Sequence, residues 1–223
     1  MAIGYRTPRR RRRVVTGGMF VLLLAVIIVA VRLVEQIGLD RSPADRFTVK
    51  KIMDGDTMEF QGGDRLRLLS IDTPEKGERY YKEACEFLSD ISLGKTARVE
   101  FAGARRDRYG RLLGYVYIDT IFVNKAILEN GLGVLYLFKD NEFERPEIKE
   151  LLAAQRVAMA SQVGIWSVER QPEDFYVAVE GSFRFHRPAC RDLGELRPDH
   201  HRILASREEA LYDGLSPCRT CKP

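Results

Sequence analysis

The chain of 223 residues, with 45% hydrophobic content, has room for one moderate domain plus an appendage, which excludes a protein without a core. Its formal net charge of +4 is no nucleic-acid signature, because the charges divide unevenly. Residues 1–45 carry eight Lys and Arg against three Asp and Glu, residues 46–168 carry 19 against 19, and residues 169–223 carry nine against ten. The surplus lies in the N-terminal tail, so global charge excludes no substrate and implies none.

That tail has the pattern of a membrane signal. Five consecutive arginines, Arg9 to Arg13, precede an uncharged stretch from Val14 to Val31. As a helix this stretch spans roughly 27 Å, close to the hydrocarbon thickness of a bilayer. The excess of Arg before it keeps the N-terminus cytoplasmic by the positive-inside rule. The organisation expected is a basic cytoplasmic tail (1–13), a transmembrane signal anchor (14–34) and a linker (35–45). The remainder would be extracytoplasmic on a single-pass protein of the inner cell membrane. A cleavable signal peptide is the alternative; the apolar centre is long for one, and no small-x-small site follows it.

Short strands follow. Phe47 to Ile52, Thr57 to Phe60 and Arg65 to Ile71 alternate around the turn signals Asp54-Gly55 and Gly62-Gly63-Asp64. Glu78 to Ser92 reads as a helix stopped by Gly94, with strands at Thr96 to Phe101 and Leu112 to Ile118. Asn124 to Asn130 reads as a short helix and Arg145 to Ser161 as a longer one, with Pro146 suited to its first turn. Five short strands with interleaved helices predict an α+β, mainly β fold: a five-stranded OB-type barrel with flanking helices.

Chemistry concentrates in three places: Asp54-Gly55-Asp56-Thr57, Arg67 through Ile71-Asp72-Thr73-Pro74-Glu75, and Asp107-Arg108-Tyr109-Gly110-Arg111. They supply hard oxygen ligands, a base and two guanidinium groups, the set that phosphodiester cleavage requires. Each has a plainer reading: Asp54-Gly55 is a hairpin signal, Arg67 and Glu75 suit a surface ion pair, and the arginines of 105–111 suit a solvated loop.

Taken together, in order and spacing, these motifs over Arg46 to Trp166 resemble the thermonuclease family, the staphylococcal or micrococcal type. The resemblance implies an OB-fold domain over 46–168 and Ca²⁺-dependent hydrolysis of DNA and RNA to 3′-phosphate products. It implies Asp56, Asp72 and the Thr73 carbonyl as Ca²⁺ ligands, Glu75 as the group that activates water, and Arg67 and Arg111 as donors to the phosphate. Tyr109 and Tyr136 match positions that touch phosphate or stack on a base. Phe138 stands where the family commonly has a second Tyr. The alternative is a non-catalytic surface protein whose barrel only holds nucleic acid. No protein partner is implied; the partners expected are DNA or RNA and, through residues 14–34, the membrane.

Beyond a linker at 169–180, His186-x₃-Cys190 and Cys218-x₂-Cys221 have ligand spacing for a tetrahedral Zn²⁺ site. Residues 181–223 resemble the zinc-binding methyl-acceptor domain of Ada-type DNA-repair regulators, with His186 in place of the first Cys, so methyl transfer is not expected. A disulfide is the competing reading in an oxidising compartment. Cys85 reads as a small hydrophobe of its helix, and His200 and His201 as surface residues.

Overall fold

The computed structural model describes residues 45–138, 143–193 and 198–223. The expected basic tail and membrane anchor therefore lie outside the described residues, as does the linker apart from Asp45, which opens the first strand. Among the described residues no helix is long and apolar enough to cross a membrane.

Five strands close into a barrel. The strands β1 (Asp45–Asp54), β2 (Thr57–Phe60) and β3 (Arg65–Leu68) form an antiparallel meander, and β5 (Thr96–Glu100) pairs with β1 and with β6 (Leu112–Ile118). Closure comes from a parallel pairing of β3 with β6, Leu66 opposite Leu112 and Leu68 opposite Gly114. Inward residues alternate along each strand and fill the interior: Val49, Met58, Phe60, Leu66, Leu68, Val99, Val116 and Ile118 are almost fully buried. Register shifts in β1 after Val49 and Ile52 let a ten-residue strand bend round the barrel. The strand β7 (Ile121–Phe122) extends β6 as a hairpin.

Two expected boundaries move, for local reasons. The strand expected over Arg65 to Ile71 stops at Leu68, because Ser70 adopts a left-handed conformation (φ 61°) and turns the chain. Ile71–Asp72 resumes as β4 and pairs with β8 (Val134–Leu135) instead. The first helix, α1 (Tyr81–Ser92), starts three residues later than expected, since Tyr80 is also left-handed and the Glu78 carboxylate accepts the Glu75 N–H ahead of the helix. Helices α2 (Val123–Glu129) and α3 (Pro146–Ala160, with Pro146 in its first turn) fall where their patterns place them.

Two buried amides tie these elements together. Asn124 accepts the Val116 N–H and donates to the Leu69 carbonyl, holding α2 against β6 and the segment after β3. Gln155 of α3 accepts the Leu135 N–H and donates to the Leu211 carbonyl, joining β8 to the C-terminal segment. Both satisfy backbone groups from fully buried positions, which makes them costly to lose.

The C-terminal segment builds a small sheet of β9 (Tyr176–Val179), β10 (Arg184–His186), β11 (His201–Leu204) and β12 (Ser216–Pro217), with helix α4 (Arg207–Tyr212) capped by Ser206. Its core of Tyr176, Ala178, Phe185, Leu204, Ala210 and Leu211 also takes in Val134 and packs against Met159, Ile165 and Trp166. Ser216 Oγ accepts the Leu137 N–H at 2.9 Å. Residues 44–223 form one compact unit in which tail and barrel share side chains and hydrogen bonds.

Candidate active site

The β1–β2 turn, the end of β3 and β4 converge at one edge of the barrel. In the turn, Asp54 accepts the Gly55 N–H, and a Cβ at Gly55 would lie 2.7 Å from Thr73 Oγ1 and 2.8 Å from Ala84. Glycine is thus required for packing, beyond its value as a turn former, because it lets the turn lie close against Thr73 and Ala84. Asp56 is 4% exposed. Its Oδ1 accepts the Thr57 hydroxyl at 2.8 Å, and its Oδ2 accepts Arg67 Nη1.

Arg67 is the hub. Its strand position alternates with inward Leu66 and Leu68, so its side chain lies outside the barrel core, yet it is only 6% exposed because the acidic turn covers it. Besides Asp56, its Nη2 donates to Asp72 Oδ1 at 2.6 Å and to the Ile71 carbonyl at 3.2 Å. Burial lowers its pKa, and the Asp72 carboxylate opposes that effect. One guanidinium therefore gathers Asp56 and Asp72, residues separated in sequence, around a single point. The donors are hard oxygens, with Thr73 buried alongside, and that set suits Ca²⁺ better than a metal preferring nitrogen or sulfur.

Beside this cluster runs a cleft of about 550 Å³ lined by Asp72, Thr73, Glu75, Glu78, Arg219 and Lys222 among others. Glu75 lies exposed at the turn, its backbone N–H bonded to Glu78. Arg111 lies on the loop after β5, close enough that its charge also acts to lower the Arg67 pKa. Asp107 organises that loop by accepting the Tyr109 and Arg111 N–H groups and pairs with the Arg111 guanidinium at 2.7–2.8 Å. Tyr109 is 69% exposed, with the Arg108 and Arg111 guanidiniums 4.8 and 5.5 Å from its ring centre, which leaves aromatic surface for a ligand. Tyr136 is placed differently. It is 5% exposed, and its ring carries the Arg184 and Arg219 guanidiniums at 3.9 and 4.6 Å, so no open face remains for a base. Phe138 packs edge-on to Tyr136.

The sequence motifs include Asp107 without a role for it, and do not include Arg219, Lys222, Glu78 or Arg184. Arg219 donates to Asp72 Oδ1 at 2.5 Å, on the oxygen that Arg67 also holds, and Lys222 pairs with Glu78 at 2.7 Å. Asp107 had a readable signal, since an Asp four residues before Arg in a Tyr-Gly turn is a natural Asx-type organiser.

In the tail, the ligand atoms of His186, Cys190, Cys218 and Cys221 all lie within 4.8 Å of one another. Sulfurs on a tetrahedral Zn²⁺ at about 2.3 Å stand about 3.8 Å apart, so the spacing fits such an ion. All four cysteines of the chain are free of disulfides. The Arg187 N–H donates to Cys221 Sγ and the Thr220 N–H to Cys218 Sγ, each at 3.3 Å, the orientation that stabilises ligating thiolates. Burial pushes the Cys221 thiol up to about 12, a bias that a bound cation would reverse. His200 lies half exposed beside Glu180, and Cys85 is half-buried on α1.

Comparison with known proteins bears on the barrel. The model of the staphylococcal nuclease homologue family matches residues 65–168. An uncharacterized endonuclease of Escherichia coli is 32% identical over 123 residues, covering 53% of this chain and 75% of the relative. The chain belongs to the staphylococcal nuclease homologue family. Thermonuclease of Staphylococcus intermedius is 30% identical over 131 residues, with 55% of this chain and 76% of that protein covered. An uncharacterized protein of Bacillus anthracis is 34% identical over 132 residues, and the chain spans 60% of its length. The nuclease domain so identified contains Arg67, Asp72, Thr73, Glu75 and Arg111, while Asp56 lies just before the matched residues and the His/Cys cluster after them.

Proposed function

We propose that this protein is a membrane-anchored, extracytoplasmic, Ca²⁺-dependent nuclease that hydrolyses phosphodiesters of DNA and RNA to products ending in 3′-phosphate. One observation carries the reading. Arg67 joins Asp56 and Asp72 in a buried cluster that opens onto the cleft holding Glu75.

Asp56, Asp72 and the Thr73 carbonyl would hold Ca²⁺, which when bound supplies positive charge opposite the scissile phosphate. The protein's own groups do the rest. Glu75, exposed to solvent and close to the cation seat, takes the proton from the attacking water. Arg67 and Arg111 offer planar donor forks to the phosphate oxygens as charge builds in the transition state. Arg111 reaches this position by exchanging its Asp107 partner for the substrate, and the open face of Tyr109 stacks a base nearby. In the tail, His186, Cys190, Cys218 and Cys221 take Zn²⁺ as a structural ion.

The decisive test is cleavage of single-stranded DNA by the full-length protein with millimolar Ca²⁺, with EGTA as the stop and end-group analysis of the products. Retained binding with no cleavage would leave a nucleic-acid-holding barrel in place of an enzyme. The anchor is supported by the Arg9–Arg13 cluster followed by the uncharged stretch from Val14 to Val31. Recovery of the protein in a carbonate-resistant membrane fraction, with the nuclease domain accessible to external protease, checks it.

A further inference from the structure

The two walls of the cleft come from opposite ends of the described chain. One wall is the turn Asp72–Glu75 with Glu78; the other is Arg219 and Lys222, in and just beyond the loop between Cys218 and Cys221. Resting on the reading of this cleft as the nuclease site, we propose that Arg219 is a further phosphate-binding residue of that site, held in position by the metal-binding cluster of the tail.

Four observations support it. First, Arg219 stands between two ligand residues, in a loop tied at both ends. Thr220 N–H bonds Cys218 Sγ, Lys222 N–H bonds the Cys218 carbonyl at 2.9 Å, and Cys221 Sγ accepts from Arg187. Metal ligation through both cysteines would fix the backbone from which Arg219 projects. Second, the side chain is aimed. Its guanidinium lies over the buried Tyr136 ring and touches Asp72 Oδ1.

Third, Arg219 has donors to spare. A guanidinium has five N–H groups, and among the described residues this one donates to Asp72 while its side chain remains 54% exposed. Fourth, the nuclease region needs local cations, because residues 46–168 balance 19 basic against 19 acidic residues. Arg67 is buried against two carboxylates and a carbonyl and Arg111 pairs with Asp107, whereas Arg219 is an exposed guanidinium of this cleft that touches the proposed metal ligand Asp72 itself.

The test measures binding by salt dependence, so it does not rest on turnover. Full-length protein in a Glu75→Gln background is titrated onto fluorescein-labelled single-stranded DNA in Ca²⁺, and anisotropy is followed over a range of NaCl. Arg219→Ala should weaken binding about tenfold, the size of one charge-assisted contact. It should also make the slope of log K against log salt shallower by about 0.7, the value for one lost phosphate contact on a single strand. Arg219→Lys should keep the slope and lose part of the affinity, because the charge stays and the fork does not. Cys221→Ser should reproduce the Arg219→Ala loss, and combining the two should add little.

Unchanged or tighter binding by Arg219→Ala, with the slope intact, would overturn the proposal and make Arg219 a plug that competes for Asp72. Full affinity in Cys221→Ser would overturn the positioning role of the cluster. Thermal melts by circular dichroism check folding, and if the Ala variant does not fold, the slope and affinity of Arg219→Lys and Arg219→Gln decide. Cleavage by the wild type in the same buffer tests the nuclease reading separately.

Discussion

Replacing Arg67 by Met separates the structural work of the cluster from its chemistry. The substitution keeps most of the apolar stem and removes a guanidinium that serves Asp56, Asp72 and the Ile71 carbonyl from a position only 6% exposed. Asp56, at 4% exposure, is left with the Thr57 hydroxyl as its remaining side-chain partner, while Asp72 keeps only Arg219 among the described residues. Removing one partner of a buried ion pair costs about 3–5 kcal/mol. At about 2–4 °C per kcal/mol for a domain of this size, the melting temperature in EGTA should fall by roughly 6–20 °C.

Ca²⁺ supplies the missing charge by another route, so its stabilising effect should be larger in the variant than in the wild type. Paired thermal melts of the full-length proteins, in EGTA and in millimolar Ca²⁺, measure both quantities. A fall of less than about 3 °C in EGTA, below the smallest shift expected from the buried-pair cost, would refute the assignment of Arg67 as the charge that holds the cluster together. An equal Ca²⁺ response in both proteins would refute the placing of the cation at these carboxylates.

Further outcomes follow from neighbouring features. Asp107→Asn removes the partner that Arg111 must give up for substrate, so at pH 7 it should lower KM and also lower the melting temperature, as steady-state kinetics beside a melt would show. Burial alone would raise the Asp107 pKa, but hydrogen bonds from the Arg111 side chain and from the Arg111 and Tyr109 N–H groups hold it below the usual carboxylate range. With the folded pKa lowered, its contribution is present above about pH 4 and is lost as pH falls through the folded value, so wild type and Asn variant should converge in melting temperature as the pH drops below that value. Gly131→Ala should be strongly destabilising, since the residue has φ 61° and a Cβ there would sit 2.2 Å from the Val163 carbonyl oxygen; a loss under about 1 kcal/mol by urea titration would contradict that packing. Stripping Zn²⁺ with a zinc-selective chelator, in Ca²⁺ buffer, should lower the melting temperature of the whole unit and abolish any separate transition for the barrel, because the tail core includes Val134; calorimetry showing an unshifted barrel transition would count against it.

The barrel was readable because strand alternation and Asp-Gly or Gly-Gly turns are local signals, and the acidic and basic motifs lie within or beside those strands. Boundaries failed where one residue took a left-handed conformation for tertiary reasons: Ser70, whose hydroxyl contacts Tyr115, and Tyr80, whose hydroxyl contacts Ser167. Nothing in the spacing announces those partners. The burial of Tyr136 was hidden in the same way, since it depends on Arg184 and Arg219 closing over the ring. The link from Arg219 to Asp72 crosses 147 positions, and the cysteine spacing that drew attention to the tail points toward a metal and away from the barrel.

That long link bears on how the protein matures. A chain made from its N-terminus folds domain by domain, and contacts of large sequence separation form last and slowly. The Asp56–Arg67–Asp72 cluster is made 147 residues before Arg219, and the last barrel strand, ending at Ile118, about 100 residues before it. A growing chain would therefore carry a finished barrel with a one-sided cleft until Arg219 and Lys222 have been added.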